Sequence, residues 1–97
     1  MNPWYSAKTQ LPDRPEVRDT IGWIYYRKHL AALAIPEFRA SVETDPRNPV
    51  YHYHLGLAYA STGESEQSRL ALSRALSIRS DFEGATEARR LLAQTGN

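Results

Sequence analysis

The sequence predicts an all-α fold built from antiparallel helical hairpins that stack on one another. Three observations support this prediction: marker residues recur at a spacing of 34, apolar residues between them recur every three or four positions, and each unit opens with proline. We call this spacing the repeat period. The recurring pairs are Pro12 and Pro46, Pro15 and Pro49, Gly22 and Gly56, Tyr25 and Tyr59, and Phe38 and Leu72. Such a period is typical of stacked hairpins, because one hairpin alone is too small to bury its apolar face.

Length and composition fit one small domain and exclude several classes of partner. The chain has 97 residues and a net charge of +1, with its basic residues dispersed, which argues against nucleic acid as the main partner. It has no cysteine, so no disulfide framework or cysteine-based zinc site is expected. No apolar run approaches the ~20 residues of a membrane-spanning helix, so membrane insertion is not predicted. The polar start lacks the apolar middle of a signal peptide, and the compartment stays open: cytoplasmic or periplasmic if the protein is bacterial.

The repeat period divides the chain into four segments. Residues 15–48 form the first full repeat and residues 49–82 the second, and residues 83–95 are expected to form a capping helix. Residues 1–12 are interpreted as the end of a preceding second helix, because Trp4 and Ala7 lie one repeat period before Phe38 and Ser41.

Each repeat opens with a helix, helix A, whose first residue is proline. Pro15 and Pro49 suit this position because the N–H that proline lacks has no helical partner there. Asn48 is a good N-cap, whereas Arg14 is a poor one, so Asp13 is the alternative cap for the first repeat. The helical spacing gives two apolar faces: Val17, Ile21, Ile24 and Tyr25 in the first repeat, and Tyr51, Leu55, Ala58 and Tyr59 in the second.

Glycine lies in the middle of both A helices. Gly22 and Gly56 each cost roughly 1 kcal/mol against alanine, so their shared position predicts a neighbouring helix that crosses too close for a side chain. Gly63 is expected to end the second helix A in the left-handed conformation. His29 holds the equivalent place in the first repeat and should be mildly strained there.

The second helix of each repeat, helix B, is harder to delimit. Pro36 belongs in the first turn or so of a helix, so the first helix B is expected to start near Leu33 or Ala34. Ser65 is a natural N-cap for the second. The helix B faces carry Phe38, Ser41 and Val42 in the first repeat and Leu72, Ala75 and Leu76 in the second; the capping helix turns Ala85, Ala88, Leu91 and Leu92 inward.

These marks resemble the tetratricopeptide repeat. The second repeat matches its pattern at Leu55, Gly56, Tyr59, Gly63, Leu72 and Ala75, and the first at Gly22, Tyr25, Ala34, Phe38 and Pro46. It departs from the pattern at Arg18 and His52, where tryptophan is common, and at His29, Ser41, Ser68 and Ser80. The resemblance implies a right-handed solenoid closed by a C-terminal capping helix. Stretches 20–26 and 50–59 are similar to the last repeats of large bacterial tetratricopeptide proteins.

The resemblance also implies a protein–protein interaction module that binds a peptide or a helix on its concave helix-A face. Carried over residue by residue, the partner-binding positions are Asp19, Trp23, Tyr26, Arg27, Val50, Tyr53, Leu57 and Leu91. Tryptophan, tyrosine and arginine are the residues that most often anchor interfaces. The alternative is that these aromatic side chains pack against each other or against further repeats.

Other chemistry has less support. One subclass of the family holds a C-terminal carboxylate, but the corresponding positions here are Asp19, Trp23, Val50 and Leu57, which cannot hold an anion. His52 and His54 are two apart and point to different sides of a helix, and His29 lies in a turn, so no metal site is predicted. His52 is interpreted as a half-buried packing residue. With no nucleophile–base arrangement and no phosphate loop, the sequence predicts neither an enzyme nor a cofactor.

Trp4 and Tyr5 are the candidates for self-association. A broken hairpin at the start leaves the N-terminal edge without a cover, and exposed apolar faces of repeats usually find a partner. The alternative function is therefore a structural segment of a larger scaffold that forms a homodimer through this edge, with no peptide ligand of its own. A frayed start is the other explanation of these residues.

Overall fold

The computed structural model describes residues 14–95, in which all regular secondary structure is helical. Its helices are α1 (Pro15–Arg27), α2 (Ala31–Thr44), α3 (Pro49–Ser61), α4 (Ser65–Ile78) and α5 (Ala85–Thr95). The bounds of α3 are those of α1 shifted by one repeat period, and the bounds of α4 are those of α2 shifted in the same way. The all-α prediction is confirmed, and the sequence period is also a period of the backbone. Among residues 14–95, no helix combines the length and the apolar character needed to cross a membrane.

Helices that are neighbours in the chain pack against each other, and α1 also contacts α3. The first hairpin is antiparallel: near the start of α1 the Pro15 carbonyl accepts a hydrogen bond from Ser41 Oγ late in α2 (2.7 Å), while Arg18 pairs with Glu37 (3.1 Å). The core lies between the helices, and Phe38, Leu72, Ser41 and Ser68 are its largest fully buried side chains.

The two mid-helix glycines lie where a neighbouring helix leaves no room for a side chain, as the sequence predicts. A Cβ at Gly22 would lie 2.6 Å from Cε1 of Phe38, and one at Gly56 would lie 2.6 Å from Cδ2 of Leu72. Phe38 and Leu72 are themselves one repeat period apart, so each repeat places a large apolar side chain of helix B directly against the glycine of its own helix A.

The turns after α1 and α3 share one geometry. Leu30 N–H donates to the Tyr25 carbonyl and Glu64 N–H to the Tyr59 carbonyl, both at 2.9 Å, which is the longer hydrogen bond of a Schellman motif. The motif needs a left-handed residue before that donor, and His29 has φ 64° and Gly63 φ 81° there. The predicted conformation is confirmed at both positions, and only glycine adopts it without a Cβ penalty.

The first testable prediction concerns this turn. His29→Gly is expected to raise the free energy of unfolding by about 1 kcal/mol, because it removes the left-handed strain of a residue with a Cβ. Urea unfolding followed by circular dichroism measures the change. The control is Lys28→Gly, one residue earlier at φ −92°, which gains nothing from glycine and should be neutral or destabilising. Equal shifts in the two variants would contradict the prediction.

Three helix starts can be compared with the sequence-based assignment. Asn48 caps α3 as predicted, its Oδ1 accepting from Val50 N–H at 3.0 Å. The assignment of Ser65 as N-cap is wrong: Glu64 holds that place, without a side-chain hydrogen bond, and Ser65 is the first helical residue.

The predicted start of α2 near Leu33 or Ala34 is also wrong. It begins at Ala31, so Pro36 lies inside the helix. Pro36 has no N–H to donate to the carbonyl of Ala32, four residues earlier. Ala32 is an exposed residue, so solvent can supply the missing donor.

The last helix departs from the repeat period. α5 begins at Ala85, whereas a strict repeat of α3 would begin at residue 83. Gly84 has φ 108°, which is outside the helical region, and therefore belongs to the turn. Ala85 and Ala88 are buried as predicted, Leu91 and Leu92 are half-buried, and the charged Arg89 and Arg90 are exposed.

Candidate functional site

A depression of about 390 Å³ lies where α1, α3 and the turn before α5 meet. We call it the aromatic groove. It is lined by Asp19, Thr20, Trp23, Val50, Tyr53, His54, Glu83 and Gly84. Four of the predicted partner-binding residues, Asp19, Trp23, Val50 and Tyr53, therefore line one depression although they come from two helices.

An Asp–His pair joins α1 to α3 inside the aromatic groove. His54 Nδ1 lies 2.8 Å from Asp19 Oδ1, and the two side chains are only 15% and 14% exposed. A carboxylate oxygen accepts, so Nδ1 carries the proton and donates. A hydrogen bond to a carboxylate is short and directional, so this pair fixes the orientation of the imidazole ring.

The fixed imidazole supports Trp23. The Trp23 ring stacks on His54 with centroids 4.5 Å apart, and on its other neighbour Tyr26 at 5.3 Å. The Arg27 guanidinium lies 6.0 Å from the Trp23 ring centroid, within the range of a cation–π interaction. Trp23 is therefore held in one orientation by groups from both helices. It still remains partly exposed to a ligand.

Tyr26 and Arg27 line a second, neighbouring depression of about 470 Å³ together with His29, Ala31 and Ser61. The stack of Trp23 on Tyr26 connects it to the aromatic groove. This second depression contains the basic side chain of Arg27, whereas the aromatic groove contains the carboxylates of Asp19 and Glu83. The two ends of the combined surface thus differ in charge.

Tyr53 forms the opposite side of the aromatic groove. A Cβ on Gly84 would overlap its ring, so the turn before α5 packs flat against Tyr53, and Phe82 meets the ring edge-on at 5.9 Å. Burial raises the pKa of Tyr53 above its usual value, and the nearby Glu87 carboxylate raises it further. Burial also raises the pKa of Tyr51. The nearby carboxylates of Asp19, Glu16 and Asp45 raise this pKa further.

The raised pKa values predict a loss of stability in alkali. Folding favours the protonated form of Tyr51 and Tyr53, so their contribution is complete below their ordinary pKa of 10.0 and is lost as the pH rises above it. The free energy of unfolding, measured in urea at increasing pH, should fall less steeply above this value in the double variant Tyr51→Phe/Tyr53→Phe than in the wild type. Parallel curves for the two proteins would contradict the prediction.

The remaining predicted residues are placed differently. Leu57 is only 8% exposed, so it offers a ligand little surface. Leu91 is half-buried on α5 and does not line the aromatic groove. Trp4 and Tyr5 lie outside the described residues.

Four residues of the aromatic groove were not among the predicted partner-binding positions: Thr20, His54, Glu83 and Gly84. The signal for His54 was its offset of 35 from Asp19, one residue from the repeat period, which sets an acid and an imidazole side by side on neighbouring A helices. Glu83 and Gly84 were assigned to the capping helix. The glycine at position 84 was the one sequence signal that the turn before α5 extends to this residue.

His52 and His54 have separate structural partners. His52 is 8% exposed, more buried than expected, and its Nε2–H donates to the Pro46 carbonyl at 2.9 Å. Within residues 14–95, no group of three or more histidine, cysteine, aspartate or glutamate side chains is arranged to hold a metal ion.

Comparisons of this chain with protein-family models, with curated proteins and with solved structures gave no match.

Proposed function

We propose that the chain is a tetratricopeptide-repeat solenoid that binds a peptide or a helix of a partner protein on its concave helix-A face. The observation that carries the proposal is the aromatic groove, in which Trp23 and Tyr53 come from two A helices and line one depression. The recurring helix bounds and the glycine crossings support the repeat assignment. Oriented, partly exposed aromatic rings bind with little loss of conformational entropy, because their neighbours already hold them in place.

The charges of the aromatic groove favour a peptide that carries arginine or lysine beside an apolar side chain. Asp19 and Glu83 line the same depression as Trp23 and Tyr53, and Glu83 is exposed whereas Asp19 is paired with His54. Carboxylates and aromatic rings both attract cations, so a basic side chain that enters the depression gains from both. A C-terminal carboxylate finds no lysine or arginine among the described residues that line it.

Binding is tested with a random peptide library selected on the full chain. For the peptides obtained, Trp23→Ala and Tyr53→Ala are each expected to weaken affinity at least about tenfold, since buried aromatic anchors contribute most of the energy of an interface. Fluorescence anisotropy with labelled peptides gives the affinities, and circular dichroism checks that the variants keep their helices.

The matched control is Leu70→Ala, which truncates a side chain that is 58% exposed on α4 and outside the aromatic groove. Its affinities should equal those of the wild type. The proposal fails if the library yields no binder, or if binding is as strong in Trp23→Ala and Tyr53→Ala as in the control. A selected set without enrichment in arginine or lysine would refute the proposed peptide chemistry while leaving the binding site in place.

A further inference from the structure

An apolar stripe on α1 is left uncovered by residues 14–95. The stripe consists of Val17, Ile21 and Ile24, which lie on one face of the helix and are 50%, 37% and 49% exposed. We call it the α1 stripe. Three branched aliphatic side chains on successive turns form a continuous apolar surface, and such surfaces usually have an occupant.

The repeat itself indicates what kind of occupant fits. Shifted by one repeat period, the α1 stripe corresponds to Tyr51, Leu55 and Ala58 of α3, which are only 8%, 8% and 0% exposed. The preceding helix, α2, packs against α3 and contributes to this burial. Leu55 and Ala58 share one core cluster with Ala34 and Phe38 of α2. The two stripes thus differ in whether a preceding helix covers them.

We propose that residues 1–11 of this chain cover the α1 stripe, in the way that α2 covers the stripe of α3. Trp4 and Ala7 lie one repeat period before Phe38 and Ser41, two fully buried side chains of α2. Pro12 lies one repeat period before Pro46, in the link between α2 and α3. A link of the same geometry before α1 would direct Trp4 and Ala7 onto the α1 stripe, which is the arrangement we propose.

The length of the segment is sufficient. At about 1.5 Å per residue, eleven residues in a helix would span about 16 Å, and the α1 stripe extends about 10 Å from Val17 to Ile24. This interaction is independent of the aromatic groove, since the two surfaces share no residue.

A disulfide cross-link tests the proposal, because the chain has no cysteine of its own. Val42 and Leu55 line one apolar depression between α2, α3 and α4, and the residues one repeat period earlier are Lys8 and Ile21. In the double variant Lys8→Cys/Ile21→Cys, oxidation at low protein concentration is expected to give a disulfide within one chain. The control is Lys8→Cys/Ser77→Cys, whose second site is exposed on α4.

Two results would overturn the proposal. Cross-linking no more efficient than in the control would show that residues 1–11 do not reach the α1 stripe. A disulfide formed only between two chains would show that a second copy covers it instead. Non-reducing electrophoresis and a count of free thiols distinguish these outcomes.

A second measurement leaves the α1 stripe intact. Trp4→Ala is expected to lower the melting temperature by about 4 °C or more, independently of protein concentration. Tyr5→Ala is the matched control, because Tyr5 lies one repeat period before Arg39, which is exposed, and should have little effect. Equal melting temperatures for Trp4→Ala and Tyr5→Ala, or a melting temperature that rises with protein concentration, would contradict the proposal.

Discussion

Phe38→Ala is expected to lower the free energy of unfolding by about 3–5 kcal/mol, the usual cost of removing a buried aromatic ring. Phe38 is fully buried, lies against Gly22 of its own repeat and belongs to the cluster that joins α2 to α3 and α4. Because a small domain is stable by only about 5–15 kcal/mol, this one change should remove a large part of the total. Urea unfolding at neutral pH measures the loss.

The chain contains only one other phenylalanine, which makes the control direct. Phe82 is half-buried in the turn before α5, where it meets Tyr53, and Phe82→Ala should cost only about 1–2 kcal/mol. Losses of similar size in the two variants would mean that Phe38 is not the centre of the core.

Gly56→Ala is expected to lower the free energy of unfolding by about 1–3 kcal/mol, although alanine is the better helix former by about 1 kcal/mol. The new Cβ would overlap Leu72, whose Cγ lies 2.7 Å away and whose side chain is only 1% exposed. The nearest atoms include the branch point of the side chain, so relief requires α4 to move away from α3.

Two further variants isolate the cause. Ala60→Gly, at an exposed position of the same helix, should also be destabilising, by about 1 kcal/mol, because there only helix propensity acts. In the double variant Gly56→Ala/Leu72→Ala the two losses should not add, since the second change removes the overlap. A stabilising Gly56→Ala, or strictly additive losses, would show that the crossing has room for a side chain.

The helix-level organisation was predictable because it depends on local physics. Proline at the first helical position, glycine at the crossings and a left-handed residue after helix A each follow from backbone geometry, and Pro49, Gly56 and Gly63 confirm the pattern. The start of α2 was predicted wrongly because a local rule, the exclusion of proline from helix interiors, is outweighed there by solvent exposure. Pro36 lies inside α2, where Ala32, whose carbonyl loses its helical donor, is an exposed residue, and the sequence does not show that exposure.

The candidate site was predictable only in part. Helical spacing put Trp23 and Tyr53 on A helices, and the family resemblance assigned them to one face. The contact between His54 and Asp19 was not predicted, because it depends on the offset between two helices that are separated in sequence. The same holds for Gly84, which the repeat period places in a helix and the packing against Tyr53 places in a turn.

The sequence by itself therefore determined an all-α chain, the period of its helices, the glycine crossings and the form of the turns between helices. Only the tertiary structure decided which side chains meet: the Asp19–His54 pair, the stack on Trp23 and the exposure of the α1 stripe. The physical reason is the difference in sequence distance over which the two kinds of interaction act. Helix formation and turn geometry depend on residues a few positions apart, whereas side-chain contacts between helices depend on their relative placement within a few ångströms, which no single segment encodes.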